Sequence, residues 1–220
     1  MEQGASEMKQ KGTIALFRYW DALRGDRPAP QRTEIEPADI KSLLADTFIL
    51  ESDARGEAIF RLAGTRLCAA YGRELKGYAF PLLWSRRDQR IVSRHTWSVL
   101  HQHAVVVIAF EGATQGDRTT PFEMVLLPLL GDQGGARALG CIVPAQKPYW
   151  LGSDAIVENR IEALRIIDPE RERLLLPDRP WIDGPPIAPE RLAGEAGPDG
   201  GIDGGRRIRH LVVFDGGRDD

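Results

Sequence analysis

The chain has 220 residues, of which 42% are hydrophobic, 28% charged and 7% aromatic. That length holds one domain with extensions, or two small ones, and is enough for a buried core. With Lys and Arg at 29 against 32 Asp and Glu, the net charge of −3 argues against a chain-wide polyanion binder.

No apolar run approaches the roughly 20 residues of a membrane span. The N-terminus lacks the apolar stretch of a secretory signal, and Cys68 and Cys141 lack metal-ligand spacing. A cytoplasmic protein with free thiols is expected. Residues 1–12 read as a disordered polar leader. Over 14–24, Leu16, Tyr19, Trp20 and Leu23 recur at helical spacing with Phe17 alongside, and Gly25 stops the helix. Glu36-Pro37 announces a second helix carrying Ile40, Leu43 and Leu44. Residues 13–46 are therefore expected to form an N-terminal helical cap.

Two β-like runs, 47–51 and 58–62, flank a turn-rich hexapeptide and read as a hairpin. Residues 65–84 hold short helical pieces punctuated by Gly72, Gly77 and Pro81. Residues 86–103 contain no Pro or Gly and place Ile91, His95 and Val99 at i, i+4, i+8 on one helix face. Three further strands are expected at 104–111, 122–130 and 139–145, joined by loops rich in Gly and Asp. Beyond the core at 47–146, residues 147–176 form an extension with a helix or strand around 156–167. Residues 177–205 read as a flexible linker. The tail, 206–220, concentrates Ile208, Leu211, Val212, Val213 and Phe214 in one β-like run suited to addition to a sheet edge.

The order β-β, short helices, long helix, β-β-β resembles that of a PAS domain. Phe60-Arg61-Leu62-Ala63-Gly64-Thr65-Arg66-Leu67 and Tyr71-Gly72-Arg73-Glu74-Leu75-Lys76-Gly77 resemble its second strand, first helix and Gly-bounded turn. Tyr19-Trp20-Asp21-Ala22-Leu23-Arg24-Gly25 and the ending His210-Leu211-Val212-Val213-Phe214-Asp215-Gly216-Gly217 resemble stand-alone bacterial PAS proteins of largely uncharacterised function. The resemblance implies an α+β fold: a five-stranded antiparallel sheet with helices on one face, an N-terminal helical cap and a flexible C-terminal tail. It also implies a non-catalytic sensory or interaction module. A catalytic output domain typically runs to about 100–150 residues, so signalling is expected to pass through a partner protein.

The expected pocket is lined by Phe60, Tyr71, Phe80, Trp84, His95, Val99, Met124 and Cys141, mostly apolar with a few polar handles. That lining reads equally well as a filled core, which would make the protein a ligand-free interaction scaffold. PAS domains that bind haem use a His on the long helix, which makes His95 the candidate axial ligand; the plainer reading is a hydrogen-bonded core histidine. No cofactor is expected. A covalent flavin adduct is excluded, because Phe80 stands where light-sensing PAS domains carry the reactive cysteine and a phenyl ring forms no thiol adduct. His101-x-His103 lacks the companions of a metal site, so no metal is expected.

Arg86, Arg90 and Arg94 form a basic stripe suited to an anionic partner or a nucleotide, and otherwise read as a solvated face. Duplex DNA is not an expected partner, because no recognition-helix module is visible. Phe17, Trp20 and Leu23 are candidates for a homodimer seam on the first helix, or for a cap on the sheet.

Overall fold

Several strands are almost unbroken runs of apolar residues, a pattern that arises when both faces of a sheet are covered. The computed structural model describes residues 8–131, 135–176, 206–208 and 211–213, in two units divided at Pro180. In the first unit α1 (Lys11–Arg24) leads to a hairpin of β1 (Thr47–Ser52) and β2 (Ala58–Ala63). Then come α2 (Thr65–Ala70), a 3-10 turn at Phe80–Leu83 and α3 (Gln89–Gln102). β3 (Val105–Thr114), β4 (Thr119–Leu129), β5 (Arg137–Pro144) and β6 (Ile156–Ile167) follow, and α4 (Pro169–Leu175) ends the run.

The sheet has six strands in the order β2-β1-β5-β4-β3-β6, every neighbouring pair antiparallel. This corrects the expected five. β6, placed by the sequence in an extension, pairs along the whole length of β3 from Val105↔Ile167 to Thr114↔Ile156. The long apolar edge of β3 would otherwise invite pairing with another chain. β6 carries Glu158, Arg160, Glu162 and Arg165, charges that discourage further strand addition.

The helices also lie on both faces rather than one. Phe48, Leu50, Phe60, Val106, Ile108, Phe110, Met124 and Leu126 form the inner layer with residues of α2, the 3-10 turn and α3. Val105, Val107, Val125, Leu127, Leu139 and Cys141 point the other way, to Leu16, Phe17 and Trp20 of α1. The buried positions of α1, from Thr13 through Leu16, Phe17, Trp20 and Asp21 to Arg24, follow the helical period. α4 is tied to α1 by ion pairs: Arg24 and Arg173 each reach Asp21 at 2.7 Å, and Arg24 also reaches Glu170.

Two further expectations need correction. The second helix after Glu36-Pro37 is a series of turns ending in a 3-10 turn at Leu44–Asp46. Its three apolar residues span barely more than one turn, too little to offset helix nucleation, and Leu44 is exposed. The leader is ordered from Met8, which is buried on the outer face of the sheet; residues 1–7 and the linker at 177–205 lie outside the described residues. In the second unit the tail forms a hairpin of two strands rather than one run. β7 (Arg206–Ile208) and β8 (Leu211–Val213) pair antiparallel, and Phe214 lies outside the described residues.

Gly140 on β5 shows how closely the inner layer is packed. A Cβ there would stand 2.1 Å from the Phe48 ring. Gly140→Ala is expected to lower stability by about 1–3 kcal/mol through overpacking. Chemical denaturation of the variant checks this, and an unchanged midpoint would show that the Phe48 ring is free to retreat.

Candidate functional site

The positions that the sequence assigned to a pocket separate into three groups. Phe60, Tyr71, Phe80, Trp84, Val99 and Met124 do share the inner layer. There Phe60 and Phe80 meet at 5.6 Å between ring centroids, Phe80 and Trp84 at 6.0 Å, and Trp84 and Phe110 at 4.9 Å. Contacts of Phe48 with Phe60 and of Phe110 with Phe122 extend this chain of rings at both ends. The Tyr71 hydroxyl accepts a hydrogen bond from Asn159 Nδ2 at 2.9 Å, and burial pushes its phenol pKa far up. Among the described residues, the buried Trp84 Nε1 and Asn159 Oδ1 have no hydrogen-bond partner.

Cys141 does not belong with them. It pairs with Val125, and both face α1 across the outer layer. Burial raises its thiol pKa strongly, and the Asp46 carboxylate adds to the effect. His95 also departs from expectation. The buried residues of α3 are Val92, Thr96, Val99 and Leu100, so the core stripe runs beside the Ile91-His95 line rather than along it. His95 is half-buried in a surface groove of about 300 Å³ with Arg94, Trp97, Ser98, Gln102 and Ile166. Desolvation, then the adjacent Arg94, lowers its pKa. The imidazole is therefore not among the residues of the inner layer, where the helical spacing had placed it. Phe80 is fully buried among rings.

Phe17 and Trp20, offered as a dimer seam, are fully buried on this chain's own sheet, with Leu23 packed beside them. They cannot form a two-fold seam without leaving it. The basic stripe does lie on the surface: Arg86, Arg87, Arg90 and Arg94 are all exposed, although Arg86 and Arg87 precede the first turn of α3. Among the described residues none of the four has a carboxylate partner. Asp88, the one acid in this stretch, is buried and accepts from Ser85 Oγ and the Ile161 amide.

Two exposed apolar residues, Ile91 at 44% and Trp97 at 49%, share the helix with these arginines. Trp97 stacks on His101 at 4.9 Å, which limits its motion. It lines the groove of His95 and also a second one of about 280 Å³, bounded by Glu57, Ala58, Pro81 and Leu100. Arg94 lines both. The sequence carried this tryptophan in plain view, but a single apolar residue off the core stripe gives no periodic signal.

A third cavity, about 170 Å³, opens beside α2 and contains none of the expected pocket residues. It is lined by Phe122 and Ile142 of the sheet and by Leu67, Ala69 and Ala70 of α2. Pro148, Leu151 and Gly152 also line it, with Asp46, Arg66 and Lys147 among the other lining residues. Among the described residues no cluster of three His, Cys, Asp or Glu side chains could hold a metal ion. Nor is any helix there long and apolar enough to cross a membrane.

A family model for the PAS domain matches residues 8–143. The chain belongs to the PAS domain family, and the class is that of domains generally used in sensing and signalling. No curated protein sequence is significantly similar. Among solved structures, a light-oxygen-voltage domain studied with a flavin analogue is 12% identical, with 51% of this chain and 85% of that one covered and a TM-score of 0.39. A LOV protein of Rhodobacter sphaeroides is 11% identical over 52% of this chain and 71% of its own, with a TM-score of 0.38. A PAS domain from Colwellia psychrerythraea is 15% identical over 51% of this chain and the whole of its own (100%), at 0.37.

Proposed function

We propose that this PAS protein is a non-catalytic signalling module that acts by binding another protein through the outer face of α3. The observation that carries the reading is an exposed, stacked tryptophan between two grooves, on a helix whose arginines have no carboxylate partner among the described residues. Trp and Arg dominate the energetics of protein interfaces, because a flat ring buries much apolar surface and a guanidinium makes several directed hydrogen bonds. The partner that fits is an acidic segment bearing an apolar side chain. Its carboxylates would meet Arg90 and Arg94, and its apolar group would lie against Trp97, which falls on the same line of the helix. Association would be steered electrostatically and slow as salt rises.

The test is co-purification from the native cell with the wild type, Arg90→Glu/Arg94→Glu and Trp97→Ala. These positions are exposed, so stability should change by no more than about 0.5 kcal/mol. A partner with an acidic surface, retained by the wild type and weakened about 30-fold by Trp97→Ala, is expected. Equal retention by all three proteins would defeat the reading.

A further inference from the structure

The cavity beside α2 lies apart from the α3 face and makes no use of α3. Its interior is apolar: Phe122, Ile142, Leu67 and Leu151 present hydrocarbon to the space. Its walls are held in place by the surrounding structure. Trp150 is buried in the inner layer, and its carbonyl accepts from the amides of Ser153 and Asp154, each at 2.9 Å. Gly152 takes a left-handed φ of 95° to close that turn. Arg118, just before β4, pairs with Asp154 of the turn at 2.8 Å on the surface. A cavity with a fixed wall does not have to order itself on binding, which removes much of the cost of taking up a small ligand.

The lining charges decide the chemistry. Arg66 is already matched by Asp46, which accepts from its Nε at 2.7 Å and from a second guanidinium nitrogen. Lys147 has no such partner among the described residues, so the three groups together leave one positive charge beside an apolar hollow. At about 170 Å³ the space is smaller than the roughly 300–1,000 Å³ that drug-sized molecules and large cofactors occupy.

We propose that this cavity binds a small monocarboxylate with an apolar body, its hydrocarbon on Phe122, Ile142 and Leu151 and its carboxylate at Lys147. The site would add small-molecule sensing to a module whose output face lies on α3.

The test uses hexanoate and its neutral counterpart hexan-1-ol, followed by amide chemical shifts of the full-length protein. Hexanoate should shift residues 67–70 and 151–152 and saturate with a Kd on the order of 1 mM. Lys147→Glu should weaken hexanoate at least about threefold, the worth of one exposed ion pair, and leave hexan-1-ol unchanged. Ala69→Phe, at an exposed position of α2, should fill the space and abolish both. Melting curves of the two variants that match the wild type establish that the fold is kept. Equal affinity for the acid and the alcohol would overturn the carboxylate assignment. Shifts confined to other residues, or none at tens of millimolar, would overturn the site itself.

Discussion

Trp20→Ala is expected to cost about 3–5 kcal/mol, a large share of the stability of a domain of this size. The indole is fully buried between α1 and the outer face of the sheet, and its Nε1 donates to the Pro128 carbonyl at 2.7 Å. Its ring also meets Phe17 at 6.0 Å and lies 5.3 Å below the Arg24 guanidinium. Trp20→Phe separates the contributions: it keeps an aromatic body and removes a hydrogen bond worth about 1 kcal/mol. Urea denaturation measures both. A loss below about 1 kcal/mol for Trp20→Ala would mean that α1 does not seat on the sheet and that the helix is free to act elsewhere, as in a dimer seam.

Glu123→Ala is expected to be nearly as damaging, at about 3 kcal/mol. The N-terminus of α1 has no side-chain cap of its own. Glu123 of β4, itself buried, supplies one from the sheet: its carboxylate accepts from the amides of Lys9 and Gln10, at 2.9 and 2.8 Å, and from the Thr13 hydroxyl. A negative charge beside a helix N-terminus is also favoured by the helix dipole. Removing the carboxylate would take the acceptor from the Lys9 and Gln10 amides and leave the buried Thr13 hydroxyl with the Gln10 carbonyl alone. Glu123→Gln keeps one acceptor oxygen and should cost about half as much. Amide exchange locates the effect: faster exchange confined to α1 in Glu123→Ala supports the capping role, and unchanged exchange there contradicts it.

The order of elements from 47 to 146 was legible in the sequence because turns and Gly-bounded helices punctuate it clearly. Which face each residue occupies was not. When both faces of a sheet are buried, alternation between apolar and polar residues disappears, so Met124 and Cys141 looked alike. Their register settles it, since Met124 pairs with Ile142 and Cys141 with Val125. On α3, Ile91-His95-Val99 and Val92-Thr96-Val99 share one residue and differ by about 100° of rotation at the others. A threonine in the buried stripe made the wrong line look more apolar.

β6 was hidden for a related reason. It alternates poorly, with Asn159 buried and Val157 and Ile166 exposed, and its pairing with β3 shifts register at Ala109/Phe110. The cavity beside α2 was invisible because its walls come from α2, two strand ends and the loop at 144–152, which only the folded chain brings together.

The role of α3 is tested most directly by amide exchange on the complex with the captured partner, compared with the free protein. Protection over Arg90 to His101 that weakens with Trp97→Ala, with α1 unchanged, is the result expected. Protection confined to α1 or to β2, the edge strand of the sheet, leaving α3 as it is in the free protein, would contradict it.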